Sequence, residues 1–390
     1  MMKTSRRLLV SLISTGVYFL AIQLVRSILA RYSRDLGIDV ASTGFIWSLV
    51  YLVAFFMRPV AGYIADRTSS YLAMSLGSLF MVAASVTYLF STGFKDLVIG
   101  RILHGIGSAY FISPSIAAVA TAAGEKAGMA LGVRSMLISL TSIAAPPAAG
   151  FIVDSVGYAL VFIVAAALAA FVALFNAIEA RRSRVGITAS RHRAGWREAL
   201  NKLVVMIAIV ALFNGILFLT VSGILQAHYR DLGYEAKLYG YFLMFFGISS
   251  IFSRYMAGKL STNRNPAIIA LVGHIITATS VIMLRTMYLV PLSYIVALVY
   301  GFGIGLTIPT QQLIVSYAVP QEVRNRAISI YAMGFDLGGF IGPMVFGYIA
   351  SVQGYEFSYQ YLVISPVIAA VLMAYVALKM IGPELKYRKN

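Results

Sequence analysis

Long uncharged hydrophobic runs recur along the whole chain, separated by short polar segments. Six lie in the first half: Leu8–Val25, Val40–Met57, Leu72–Phe94, Ile102–Gly124, Ser135–Val153 and Ala159–Ile178. Six more follow: Leu203–Tyr229, Leu238–Ser253, Pro266–Leu284, Met287–Pro320, Ala327–Phe335 continuing past Asp336 to Gln353, and Phe357–Leu378. A helix needs roughly 20 apolar residues to cross a bilayer, and the runs lack the polar–apolar alternation of barrel strands. The pattern therefore predicts an all-α integral membrane protein with twelve spans.

The two halves of the chain repeat one another. Tyr32–Arg67 aligns without a gap with His228–Asn263 at an offset of 196, and the matched positions include an Arg-Asp-Leu-Gly motif in each copy. After one inserted residue the repeat continues at an offset of 197. Parallel copies imply a pseudo-twofold axis along the membrane normal. We expect two pseudo-symmetric six-helix bundles, residues 1–180 and 203–390, joined by a basic cytoplasmic linker at 181–202.

Composition excludes a water-soluble protein. The chain is 60% hydrophobic, its mean hydropathy is +0.84, and only 12% of its residues are charged, whereas soluble domains carry about 25%. The net charge of +17 lies mostly in segments that face the cytoplasm if the N-terminus is inside. We therefore expect a multi-pass protein of the cell membrane with both termini cytoplasmic, and we attribute the basic charge to topology and anionic lipid rather than to nucleic acid.

The sequence offers little for covalent or metal chemistry. It has no cysteine, so a disulfide or thiolate metal site is excluded. It contains no P-loop, and its four histidines form no H-E-x-x-H motif. We expect no cofactor, no metal and no catalytic residue, and hence not an enzyme.

Three short motifs resemble signatures of the major facilitator superfamily, over essentially the whole chain. After span 2, Gly62, Asp66 and Arg67 match G-x-x-x-D-R, although the later glycine and basic positions are missing. Span 4 carries an arginine followed by G-x-G, in the segment Arg101–Gly107. The export signature of span 5 is degraded in Ala145–Gly150, which leaves both uptake and efflux open.

The resemblance implies a transporter in which two bundles rock about a central cavity. It assigns Asp66 and Arg67 to a cytoplasmic latch that includes Gly62 and, in the second copy, Arg254 and Gly258. Asp66 could face the positive N-terminus of a helix, or it could be a loop charge that only sets topology.

Matching prolines interrupt spans 5 and 11. Pro146, Pro147 and Pro343 each remove a helical hydrogen bond. We expect kinks that let these spans bend together, the alternative being prolines that are tolerated without a mechanical role.

Charged residues inside a membrane are costly and suggest function. The first half offers Arg26, Arg101, His104 and Arg134 in its spans and no acid well inside them. A basic cavity favours an anionic or polar substrate, because arginine can hold a carboxylate or phosphate with two hydrogen bonds. Alternatively, Arg101 and Arg134 bond to backbone carbonyls or lipid phosphates, and Arg26 extends to the interface.

Asp336 is the leading candidate for proton coupling, because burial favours its protonated form, and His104 is the second. A permanent ion pair is the alternative for Asp336. Uncharged polar side chains could bind substrate or join helices; they are Gln23, Asn214, Gln226, Gln311 and Gln312.

These features together predict a secondary active transporter that works as a monomer in the lipid bilayer. We expect proton coupling and a small-molecule substrate, either an organic anion or a polar metabolite. The alternatives are a multidrug antiporter for lipophilic compounds and a membrane receptor or scaffold that transports nothing.

Overall fold

The computed structural model describes residues 6–182, 200–320 and 323–380, which are almost entirely helical. The first-half helices are α1 (Arg6–Arg26), α2 (Leu29–Asp35), α3 (Val40–Arg67), α4 (Ser70–Leu89), α5 (Phe94–Ala123), α6 (Ala127–Val156) and α7 (Tyr158–Arg182). The second-half helices are α8 (Lys202–Asp231), α9 (Ala236–Ser261), α10 (Pro266–Thr286), α11 (Leu292–Tyr317), α12 (Arg324–Gln353), α13 (Tyr355–Leu362) and α14 (Ile364–Tyr375).

The predicted twelve spans are confirmed. Twelve helical segments of the described chain are long and apolar enough to cross a membrane. Span 1 consists of α1 and α2, and span 12 of α13 and α14 with the π-turn Val376–Met380. The predicted linker lies outside the described residues, apart from its ends in α7 and at the start of α8.

Helix boundaries follow local capping chemistry. Asp39 accepts a hydrogen bond from the Ser42 amide at 2.9 Å and begins α3, and Ser69 caps α4 in the same way. The repeated Arg-Asp-Leu-Gly motif ends its helix with a glycine at positive φ in both copies, 77° at Gly37 and 75° at Gly233. Only glycine adopts that conformation without strain, so the motif encodes the same turn twice.

The two copies also cross their helices at the same glycines. In the first copy, a Cβ on Gly77 of α4 would lie 2.7 Å from the carbonyl oxygen of Gly107 in α5. In the second copy, a Cβ on Gly273 of α10 would lie 2.9 Å from that of Gly303 in α11. Both pairs are related by the offset of 196. Small residues allow helix backbones to touch where lipid supplies no hydrophobic driving force. The sequence repeat therefore reproduces the same helix packing in both copies.

The chain divides into two compact units. One comprises Met1–Ser190 with Gln226–Tyr241, and the other Arg191–Leu225 with Phe242–Asn390. The segment Gln226–Tyr241, which we call the motif segment, joins the end of α8 to the start of α9 and carries the second Arg-Asp motif. It packs with the first-half helices.

Substituting a crossing glycine tests this packing. We expect Gly107→Ala to lower the melting temperature of the detergent-purified protein, because the new methyl group would overlap the backbone of α4. Gly303→Ala should do the same in the second copy, where the Cβ would lie 2.6 Å from Thr277 Cγ2.

Gly132→Ala is the matched control, since no heavy atom lies within 4 Å of a Cβ built there. It should leave the melting temperature unchanged or raise it, as alanine favours a helix by about 1 kcal/mol over glycine. Equal stability of Gly107→Ala and wild type would contradict the close crossing.

Candidate functional site

Arg101 connects two helices through the backbone. It is 2% exposed, and its Nε donates to the carbonyl oxygen of Ile46 in α3 at 2.9 Å. A terminal nitrogen donates to the carbonyl of Trp47, and the guanidinium lies 5.4 Å from the Trp47 ring centroid. His104, one turn along α5, has its Nδ1 3.5 Å from the Tyr88 hydroxyl. In this structure Arg101 therefore holds α5 against α3.

Arg134 is positioned differently. It lies in α6 and is 6% exposed, and one terminal nitrogen donates to the Ser115 hydroxyl of α5 at 2.8 Å. Its guanidinium lies 5.8 Å from the ring centroid of Phe19 in α1. The Nε is buried and has no partner among the described residues. Arg134 thus has an N–H group available to a ligand, whereas Arg101 donates its hydrogen bonds to backbone carbonyls.

The remaining first-half candidates for substrate binding lie on α1. Gln23 is half-buried and donates to the Ser142 hydroxyl of α6 at 2.6 Å. Arg26 is half-buried and forms the last residue of α1. Both residues come just before the interruption between α1 and α2.

Two of the second-half candidates bind each other. Asn214 of α8 donates to Gln311 Oε1 of α11 at 2.7 Å, and the Tyr331 hydroxyl of α12 donates to the same oxygen at 3.3 Å. Gln311 Nε2 lies 2.9 Å from Nε2 of His274 in α10. Gln311 is thus the centre of a buried network across four helices, while Gln312, predicted beside it as a substrate contact, is exposed.

His274 and Tyr331 were not anticipated as parts of a site. The available signal was the repeat: Tyr331 corresponds to Arg134 at offset 197, and Gln311 to Ser115 at offset 196. Polar groups therefore occupy equivalent places in both bundles.

Asp336 is 6% exposed in α12. The helix packs closely on α8 around it: a Cβ on Gly215 would lie 2.0 Å from the Phe335 carbonyl oxygen, and one on Gly338 1.9 Å from that of Leu212. A carboxylate in so tight a crossing is shielded from bulk water.

The predicted latch is described only in part. The Asp66 side chain lies outside the described side chains. Arg67 is exposed and lies 4.5 Å from the Tyr63 ring centroid, and Arg254 is also exposed. A Cβ on either Gly62 or Gly258 would meet no heavy atom within 4 Å.

Gly258 borders an open pocket of about 490 Å³ between α9 and α11. Its lining residues are Ala257, Gly258, Ser261, Thr262, Pro309, Thr310, Leu313 and Tyr317. Gly258 therefore faces open space rather than a helix.

The prolines at which we predicted kinks do not interrupt their helices. The helix α6 continues through Pro146 and Pro147, and α12 continues through Pro343. The proline segment of α6 contacts the start of α9: a Cβ on Gly240 would lie 2.5 Å from the Cα of Pro147. Bending at these positions stays a prediction.

The repeated motif forms reciprocal ion pairs that sequence reasoning missed. Arg34 Nε lies 3.0 Å and 3.1 Å from the two carboxylate oxygens of Asp231. Arg230 Nε donates to Asp35 Oδ1 at 2.6 Å. Each arginine of one copy therefore pairs with the aspartate of the other, as a pseudo-twofold axis requires. The sequence signal for this pairing was the Arg-Asp dipeptide that occurs in each copy.

A further carboxylate fixes the start of α9. Asp154, at the end of α6, accepts hydrogen bonds from the amides of Ala236 at 2.7 Å and Lys237 at 2.9 Å. Free amides and the helix dipole both favour a negative charge there. The motif segment is thus held to the first-half helices by charged groups at two places, the Arg230–Asp231 pair and the first amides of α9.

The chain resembles known proteins over most of its length. The family model described as Major Facilitator Superfamily matches residues 11–343. The Escherichia coli K12 protein named multidrug resistance protein MdtG is 24% identical over 376 residues, covering 90% of this chain and 89% of that protein.

Solved structures share the fold. A bacterial homologue of the human lysosomal transporter Spinster, inward-facing and unoccupied, is 17% identical with a TM-score of 0.79, covering 97% of this chain and 98% of the other. The D-xylose–proton symporter is 16% identical with a TM-score of 0.76, at 97% and 98% coverage.

The reciprocal pairs can be tested by exchanging charges. We expect Arg34→Asp to lower the melting temperature, because three carboxylates would then adjoin at the paired motifs. Adding Asp231→Arg should restore most of the loss, although each half-exposed pair stabilises by only about 0.2–1 kcal/mol.

Glu235→Gln is the control, since Glu235 pairs with Lys237 two residues away rather than across copies. It should change little. A double variant no more stable than Arg34→Asp alone would show that the pairs do not hold the copies together.

Proposed function

The chain belongs to the major facilitator superfamily, and on that premise we propose that it is a proton-coupled secondary active transporter whose substrate is a small organic anion or polar metabolite. It would work by alternating access as a monomer. In this proposal Arg134, Arg26 and Gln23 bind substrate, and Asp336 with His104 carries protons.

The buried guanidinium of Arg134 is the observation that supports an anionic substrate. A buried donor without an acceptor costs about 1–3 kcal/mol, and more when it is charged. A carboxylate or phosphate oxygen would accept from Nε and restore the lost hydrogen bond. Because Arg101 donates to two carbonyls of α3, we assign it a structural role in this scheme.

The second half supplies neutral polar groups. Asn214 and Gln311 are engaged with one another and with Tyr331. A polar substrate that displaced the Tyr331 hydroxyl could hydrogen-bond to the side-chain amides of Asn214 and Gln311 in its place. The number of hydrogen bonds would then change little. We propose these amides, with the exposed Gln312, as the polar contacts of the transported molecule.

Placement in the cell membrane with both termini cytoplasmic completes the proposal. It rests on the bias of basic residues toward the predicted cytoplasmic segments. On that topology the paired Arg-Asp motifs lie at the outer ends of the spans. The proposed latch lies at the inner ends and consists of Gly62, Asp66, Arg67, Arg254 and Gly258.

Efflux of lipophilic compounds is the second candidate. It is favoured because Arg101 donates to backbone carbonyls, so that fewer basic groups of the first half are available to an anion than its sequence suggests. The relative named as a multidrug resistance protein supports the same choice. This candidate keeps Asp336 as the proton carrier and changes only the substrate.

A thermal-shift screen of the purified protein should distinguish the two substrate classes. We expect organic anions to raise the melting temperature, because a ligand that binds only the folded state stabilises it. Arg134→Gln should abolish that increase. Arg101→Gln should lower the melting temperature of the free protein and retain the increase with anion.

Stabilisation by lipophilic cations alone would overturn the anion proposal and favour multidrug efflux. Binding without flux in proteoliposomes would instead indicate a receptor.

The coupling role of Asp336 has its own test. We expect Asp336→Asn to abolish pH-driven accumulation in proteoliposomes and to spare exchange of substrate across the membrane, because asparagine cannot carry a proton. Glu356→Gln, at the exposed end of α13 beside Tyr288, should leave both activities intact. Full accumulation by Asp336→Asn would refute the assignment.

A further inference from the structure

Span 1 is interrupted where no proline or glycine stands. The helix α1 ends at Arg26, α2 begins at Leu29, and Ser27 and Ile28 form a turn between them. In a continuous α-helix the amides of Ala30 and Arg31 would donate to the carbonyl oxygens of Arg26 and Ser27. At the interruption these two amides and two carbonyls lack their helical partners, whereas the amide of Ile28 donates instead to the carbonyl oxygen of Val25 at 3.2 Å.

One side chain serves as the partner of all four groups. Gln226 Oε1 accepts from the amide of Ala30 at 2.6 Å and from that of Arg31 at 3.2 Å. Its Nε2 donates to the carbonyl of Ser27 and, at 3.5 Å, to that of Arg26.

The chemistry of glutamine matches the interruption. A side-chain amide has an oxygen that accepts two hydrogen bonds and a nitrogen that donates two. Methionine, of similar length, would lose both the acceptor and the donor. Gln226 is 1% exposed, so water does not compensate for it.

Building on the alternating access proposed above, we propose that Gln226 is a positioning residue that keeps span 1 broken while the motif segment packs against it. When that segment moves away, Gln226 withdraws from the break. The Arg26–Ala30 and Ser27–Arg31 hydrogen bonds then form, and α1 and α2 join into one straight helix.

Hydrogen-bond pairing makes the break a two-state element. Backbone groups at membrane depth must be paired within the protein. The broken helix with Gln226 inserted pairs all four groups, and so does the continuous helix without it. Intermediate positions leave groups unpaired, so the helix changes in one step.

The break connects two parts of the molecule. Arg34 and Asp35, at the end of α2, bond to Asp231 and Arg230, only a few residues from Gln226 on the motif segment. Gln23 and Arg26, the proposed substrate contacts, end α1 on the other side of the break. Opening the ion pairs would thus move the substrate contacts relative to α2 through a change in helix geometry.

The test measures the shape of span 1 directly. The chain has no cysteine, so Leu9→Cys with Leu36→Cys gives two unique sites for spin labels at the ends of the span. Joined helices would separate the two labels by about 40 Å along the axis. We expect wild type to populate mainly a shorter distance and Gln226→Met to increase the ratio of longer to shorter by about tenfold, because unpaired groups penalise the broken form.

Gln353→Met is the matched control, as Gln353 is an exposed glutamine at the end of α12, and it should leave the distances unchanged. Unchanged distances in Gln226→Met, or the same shift in Gln353→Met, would overturn the proposal. If Gln226→Met does not fold, Gln226→Ala must still increase the longer distance, since alanine lacks both the acceptor and the donor. No increase would equally overturn it.

A positioning role also requires a kinetic effect. Gln226→Met should change the KM of the transported substrate, because Gln23 and Arg26 shift with the helix, while Gln353→Met should not. The distance measurement needs no substrate, so it stands even if anion transport or proton coupling is disproved. Altered distances with an unaltered KM would refute the link to Gln23 and Arg26.

Discussion

The need to pair every backbone donor and acceptor inside the hydrocarbon layer governs this structure. Helices meet it by themselves, which is why twelve apolar runs become twelve spans. At two places where the chain departs from a helix, a side chain replaces the backbone partner. Gln226 does so at the break in span 1, and Asp154 does so at the first amides of α9.

The repeat shows what duplication preserved and what it left to vary. Glycine crossings and the reciprocal Arg-Asp pairs recur in equivalent places, because they are set by backbone geometry and by symmetry. The polar clusters keep their places and differ in chemistry. Arg134 and Ser115 in the first bundle correspond to Tyr331 and Gln311 in the second, so the first bundle has a buried cation where the second has neutral polar groups.

Sequence reasoning predicted the helices and the repeat because both depend on residue patterns along one chain. It did not predict side-chain partners, which depend on how helices dock. Arg101 illustrates this: a buried arginine is compatible with a substrate anion or with helix carbonyls, and only the packing of α5 on α3 decides between them. The break in span 1 was missed for a related reason. Helix breaks are expected at proline or glycine, and Arg26–Arg31 contains neither.

The buried polar residues differ in how many backbone groups depend on them for hydrogen bonds, and this number does not follow their charge. The carbonyls of Ile46 and Trp47 lie inside α3, where each already accepts a helical bond, so losing Arg101 leaves them paired. In the broken span 1, two amides and two carbonyls around Ser27 bond instead to Gln226. A neutral glutamine therefore has more control over backbone conformation than the buried arginine. Conformational change in this membrane protein is limited by where unpaired backbone groups can find new partners, and the ionised side chains mainly stabilise the arrangements that this constraint allows.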